Sequence, residues 1–266
     1  MRTVGSGLAA IERHDSRADV YLTRPREENA LTVDLLKDLT EAFRRLDADP
    51  EIRAITLLGQ GEVFSAGLDT DLVTDDPAVV DEYLDTFAQL LELIDRVRQP
   101  VVVGIKAAAL GPAFELTLAA DLRVLDRDGS YGLAEASLGA FPQGGGTQRL
   151  PRLVGLSKAM ELVLRDENVD PESALEIGLV HEVVDSADVD DVAREIADDL
   201  CTKAPIAVQN AKRSVKGSFE MPLDRGLIYE RALGREAREA LARAEAEAKA
   251  DDGPTLKERF QEVDGR

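Results

Sequence analysis

Between residues 18 and 125 short aliphatic strands alternate with amphipathic helical stretches, and that alternation restricts the chain to an α/β core. Ala18-Asp-Val-Tyr-Leu-Thr23 reads as a strand ended by Arg24-Pro25, and Ile52-Arg-Ala-Ile-Thr-Leu-Leu58 as a buried strand ended by Gly59-Gln-Gly61. Val101-Val-Val-Gly-Ile105 and Leu122-Arg-Val-Leu125 read as two more. Between the first pair, Val33, Leu35, Leu36, Leu39, Phe43 and Leu46 recur at helical spacing, with Pro50 beyond the stop. Residues 77–98 repeat that pattern up to Gln99-Pro100, and a small-residue turn then leads into an apolar helix holding Glu115. The second half is mainly helical, at about 146–164, 171–177, 188–202, 205–217 and 222–250. The expected division is a core over residues 1–200 and a helical region over 201–266, whose apolar face of Ala and Leu suits packing on a neighbour.

Composition narrows the setting. The chain has 266 residues, a hydrophobic fraction of 44%, one cysteine and a formal net charge of -20. Length suits one large domain with an appendage, and no uninterrupted apolar run reaches the roughly 18 residues of a membrane span. Lys106, Pro112 and Glu115 break the best candidate, residues 99–120. A lone Cys201 gives no disulfide framework and no cysteine metal site, and no metal-ligand spacing involves His14 or His181. With no secretory layout at the N-terminus, the expected location is cytoplasmic. The acid residues are spread along the chain, as at Asp75-Asp76, Asp190-Asp191, Asp198-Asp199 and Asp251-Asp252. An ordinary acidic surface or a basic ligand would fit such charge, but its spread favours a solvated shell selected for high salt, a halophilic trait. Nonspecific nucleic-acid binding needs a basic stripe that is missing.

Two glutamates carry the chemistry. Glu115 lies in Leu110-Gly-Pro-Ala-Phe-Glu-Leu116, where desolvating a carboxylate is expensive, and Glu135 lies in Gly132-Leu-Ala-Glu135 ahead of Gln143-Gly-Gly-Gly-Thr-Gln-Arg149. A carboxylate pair can divide general-acid and general-base work if the fold unites it. Taken alone, Glu115 reads more readily as a structural carboxylate paired with an arginine than as a catalyst, and Glu135 as a solvated residue in a loop or first helical turn. Gly144-Gly-Gly146 reads as tight turning before a helix, and it lacks the Lys-Ser/Thr ending of a phosphate-binding loop.

Read in order, these segments resemble the crotonase superfamily, the enoyl-CoA hydratases and isomerases. The resemblance runs over most of residues 18–185. It is carried by Leu22-Thr-Arg-Pro-Arg-Glu-Glu-Asn-Ala-Leu31, Phe64-Ser-Ala-Gly-Leu-Asp69, Leu110 to Leu116, Gly132 to Glu135 with Gly145-Gly-Thr-Gln-Arg-Leu150, and Ala174-Leu-Glu-Ile-Gly-Leu-Val180. It implies a spiral of ββα units with a helical C-terminal trimerisation region, and a homotrimer or homohexamer. It also implies an acyl-CoA substrate, with CoA arriving as part of the substrate and no separate cofactor or metal.

By position, the resemblance makes Glu115 the base that orients and deprotonates water, and Glu135 the donor of a proton to Cα. The Leu68 N–H becomes the first oxyanion donor. Because many relatives lack one of these carboxylates, having both favours hydration of a 2-enoyl-CoA over isomerisation, hydrolysis or lyase chemistry. The second donor would fall at Pro112, which has no N–H. Proline suits the first position of a helix, and Ala113 N–H would then be the substitute donor. Loss of the second donor altogether would instead suit a non-catalytic acyl-CoA binder. Ala107 stands where the family usually has glycine. Substrate or CoA contacts are implied at Arg24, Ala66, Asp69 and Gly111. Arg24 and Arg26 also read as surface charges, and Asp69 as the cap of the following turn. Lys257 and Phe260 align too loosely with the family for a role.

Overall fold

The computed structural model describes residues 1–74 and 76–250; Asp75, Asp251-Asp252, Lys257 and Phe260 lie outside the described residues. The chain divides into two compact units, Met1–Thr202 and Lys203–Arg266.

The first unit is built on a seven-stranded sheet. β1 (Arg2–Val4), β2 (Ala9–His14) and β3 (Arg17–Leu22) run antiparallel. α1 (Val33–Ala48) then returns the chain to β4 (Ala54–Gly59), parallel to β3 with Val20 opposite Leu57. α2 (Pro77–Arg96) leads to β5 (Val101–Ile105), again parallel. β6 (Ala108–Leu110) leaves the sheet, α3 (Pro112–Ala119) follows, and β7 (Leu122–Asp126) rejoins it beside β5. β8 (Ser130–Gly132) pairs with β6 in a small separate sheet. α4 (Gly146–Val154), α5 (Leu156–Arg165) and α6 (Pro171–Glu176) precede β9 (Glu182–Val184), which closes the order β1-β2-β3-β4-β5-β7-β9. α7 (Val189–Thr202) ends the unit.

Parallel strands covered on both faces must be apolar throughout, and all six residues of β4 are buried. Ile55 and Leu57 face the large core with α1 and α2, while Ala54 and Leu58 pack with Val189, Ala193 and Ala197 of α7. Capping sets the helix starts. Thr32 accepts the Leu35 amide at 3.2 Å ahead of α1, and Asp76 accepts the Ala78 amide at 3.0 Å ahead of α2. One buried acid ties α7 to the sheet: Asp19 of β3 accepts from Arg17 Nε at 2.8 Å, Thr56 Oγ1 at 2.7 Å and Arg194 Nε at 3.0 Å.

The second unit holds α8 (Pro205–Gly217) and α9 (Leu223–Ala250). Asn210 of α8 is buried and donates to the Leu233 carbonyl of α9 at 3.0 Å.

The structure departs from the sequence reading at 146–164, which is two helices. Gly155, at φ 81° and ψ 159°, takes a backbone conformation that cannot continue an α-helix, so α4 stops and α5 begins. The hairpin of β1 and β2 and the pairing of β6 with β8 are additions the periodicity did not reveal.

Candidate active site

Two backbone turns meet at the start of α3. In one, Gly67 adopts φ 101°, and a methyl group there would lie 2.5 Å from the Leu110 carbonyl oxygen and 3.8 Å from Pro112 Cδ. Only glycine lets the segment Ser65–Asp69 approach the start of α3 so closely. Leu31 N–H donates to Gly67 at 2.7 Å and Asp69 N–H donates back to Leu31 at 3.2 Å, a pairing that leaves the Leu68 N–H between them without an acceptor among the described residues.

In the other turn, Gly111 takes φ 51° and donates its N–H to Gly132 at 2.9 Å. Pro112 occupies the first position of α3 and brings no amide hydrogen. Ala113 and Phe114 supply the first two N–H groups of the helix, and neither has an acceptor among the described residues. The unspent Leu68 amide and the unspent end of α3 are thus neighbours. Ala107 holds φ 51°, a left-handed conformation uncommon for a side-chain-bearing residue, while its N–H donates to Asp126 Oδ2 at 3.0 Å.

Glu115 follows in the first turn of α3 and is 2% exposed. Among the described residues no arginine forms an ion pair with it; its carboxylate is held by the glycine run. Oε2 accepts the Gly144 N–H at 2.9 Å and Oε1 the Gly146 N–H at 2.7 Å. A methyl on Gly144 would sit 2.6 Å from Oε2 and one on Gly146 would sit 2.9 Å from Oε1. The run therefore does more than turn the chain: it lets bare backbone close on a carboxylate. Arg149 supports the loop by donating to the Gly144 carbonyl at 3.0 Å. Burial, opposed by the Gly146 amide and reinforced by the charge of Glu135, pushes Glu115 from its ordinary 4.5 up to about 7.

Glu135 precedes a short helical turn at Ala136–Leu138. Its Oε2 accepts the Ala134 N–H at 2.9 Å, while Oε1 is buried and has no partner among the described residues. Oε1 lies 3.2 Å from where a Gly111 side chain would begin, which brings this carboxylate against the turn that opens the Glu115 helix. Burial raises its pKa above the ordinary carboxylate value, the Ala134 amide opposes the rise, and the Asp166 charge adds to it.

Of the remaining expected residues, Arg24 is not a free surface charge. It donates to Asp69 Oδ2 at 2.8 Å and to the Ala30 carbonyl at 2.6 Å, and its side chain is 16% exposed. Asp69 also caps its turn through the Asp71 amide at 3.1 Å. Burial alone would raise Asp69, yet the Arg24 hydrogen bond holds it below the usual carboxylate range. Ala66 N–H donates to the Glu28 carbonyl at 2.9 Å, so this segment is anchored at both ends.

The sequence reading missed the Gly144 and Gly146 amides as carboxylate ligands and Arg149 as the brace of their loop. Three consecutive glycines were the available signal, because turning alone needs fewer. Among the described residues no group of three or more His, Cys, Asp or Glu is placed to hold a metal, and no helix is long and apolar enough to cross a membrane.

The fold that carries these residues is that of the crotonase proteins. An enoyl-CoA hydratase structure from Bacillus anthracis is similar with a TM-score of 0.87 and 30% identity, covering 94% of this chain and 98% of that one. The short-chain-enoyl-CoA hydratase of Clostridium acetobutylicum is 31% identical over 83% of this chain and 85% of its own length. The (E)-benzylidenesuccinyl-CoA hydratase of Thauera aromatica is 34% identical over 81% and 85%. The chain belongs to the enoyl-CoA hydratase/isomerase family, which it matches over residues 12–248.

Proposed function

We propose that this protein is an enoyl-CoA hydratase that adds water across the double bond of a 2-enoyl-CoA. One observation carries the reading: Glu115, buried and held by two backbone amides, shares the start of α3 with Glu135. Burial brings Glu115 to about 7, which suits a base working near neutral pH, and burial favours the protonated form of Glu135 as well. Glu115 takes a proton from water as its oxygen bonds to Cβ. The thioester oxygen gains charge and is stabilised by Leu68 N–H and Ala113 N–H. Glu135 delivers the proton to Cα.

The α3 dipole favours the same anion. With neither Pro112 nor a neighbour donating, the loss would be about 2.7–4 kcal/mol, or roughly 10²–10³ in rate. Supply by Ala113 N–H, which stands unspent, avoids that loss. CoA enters as part of the substrate, and a trimeric or hexameric cytoplasmic enzyme adapted to salt is the accompanying proposal.

The test is loss of the conjugated enoyl-thioester absorbance of crotonyl-CoA in molar salt. Rapid loss that Glu135→Gln abolishes supports the reading. CoA binding without turnover of any enoyl-CoA favours the non-catalytic binder that Pro112 suggests, and turnover of a different acyl-CoA favours another reaction of the same fold.

A further inference from the structure

Tyr83 lies on the face of α2 that also buries Phe87, Leu90, Leu91 and Ile94. It is 6% exposed, and its hydroxyl has no hydrogen-bond partner among the described residues. An unpaired buried hydroxyl is costly, and phenylalanine would fill the same space without that cost.

The surroundings indicate what the hydroxyl serves. The Tyr83 ring stacks on Phe87, with centroids 5.8 Å apart and an interplanar angle of 28°. Phe87 closes on the carboxylate cradle, since a methyl at Gly144 would meet Phe87 Cε1 at 2.3 Å and Glu115 Oε2 at 2.6 Å. Burial raises the pKa of the phenol, and the charges of Glu115 and Glu135 raise it further, so the phenol stays protonated and remains a donor. Glu135 Oε1 is a second buried oxygen without a partner in this neighbourhood.

We propose that Tyr83 is a positioning residue whose hydroxyl holds the reactive water, donating to its oxygen while the carboxylates hold it from the other side. The inference rests on the hydratase reading. Three partners fall within the two to four of a well-held buried water. One lone pair of the water accepts from Tyr83, leaving the other directed at Cβ. As the C–O bond forms, the O–H bond breaks and its proton passes to Glu115. The π pair moves to the enolate and returns to form the Cα–H bond with the proton from Glu135. Tyr83 keeps its own proton throughout.

Tyr83→Phe preserves the ring, the stack and the fold, and deletes only the hydroxyl. With crotonyl-CoA, kcat should fall roughly 10–100-fold, the scale of a misplaced reactant, with KM within about twofold and the melting temperature equal or higher. An unchanged kcat beside an active parent overturns the Tyr83 assignment alone. A raised KM with kcat intact also overturns it, because the hydroxyl would then be reading the acyl group. A parent that hydrates no enoyl-CoA removes the hydratase reading and this inference together.

Discussion

Glu115→Gln isolates the ionisation of the buried carboxylate from every other titration in the chain. Folding raises Glu115 from 4.5 to about 7, first by burial. Between those values the folded state holds a proton that the unfolded state releases. Stability from this group is therefore full below the lower value and is lost as pH rises through the upper one. The total is on the order of 3 kcal/mol, and about 2 kcal/mol of it falls between about pH 5.5 and 8.5. Glutamine cannot ionise and loses that slope. It carries a separate cost independent of pH, because Gly144 N–H and Gly146 N–H each donate to one oxygen and an amide NH₂ must confront one of them. That mismatch is worth about 1–3 kcal/mol. The diagnostic quantity is thus the change with pH in the parent-minus-variant difference, which should shrink by about 2 kcal/mol from the lower to the higher pH. Urea unfolding at fixed high salt measures it, followed by far-UV circular dichroism because the chain has no tryptophan. A difference constant to within about 0.5 kcal/mol would refute a carboxylate titrating near neutrality. Turnover of the parent should rise over the same range as the base ionises.

Gly144→Ala should lower stability by about 1–3 kcal/mol and hydration at least tenfold, since its methyl would overlap Phe87 and the Glu115 carboxylate; a normal melting temperature and rate would refute the cradle. Pro112→Gly should lower hydration with the fold intact, because proline's fixed φ sets the start of the Glu115 helix; hydration equal or higher would instead mean that a lost amide limits the rate. The melting temperature should fall on dilution from molar salt because a charge of -20 then repels itself unscreened; a midpoint indifferent to salt would remove the high-salt adaptation.

The strands and helices with strong patterns were legible because burial writes itself as periodicity. β4 and β5 are buried on both faces and read as continuous apolar runs, and α1 shows Leu35, Leu36, Leu39, Phe43 and Leu46 on its inner face. β6 and β8 span three residues each, too few to alternate visibly. Glu115 was conspicuous as a charge in apolar text, whereas Glu135 was recognisable by register alone. Its environment comes from segments distant in sequence: the Gly111 turn and the Asp166 charge. Tyr83 lay hidden for the opposite reason. Its position in the helical repeat is that of an ordinary core residue, and an unpaired hydroxyl emerges only when every neighbour is in place.

Pro112 shows where register and geometry diverge. Register assigns the second amide donor to a residue without an amide, which reads as a defect. In space, proline occupies the helix position whose N–H has no intrahelical partner in any case. The preceding amide, Gly111, is committed to Gly132. The unspent donors therefore begin at Ala113, and the approach of Gly67 to Leu110 places Leu68 beside them. These facts support a donor displaced by one residue along α3. The displacement would shift the carbonyl toward the helix axis, where the partial charge of several amides adds to the single hydrogen bond. An oxyanion site so built depends on where α3 begins, and that start also fixes Glu115 one turn further on. Proline's fixed φ would then serve both halves of the proposed chemistry at once.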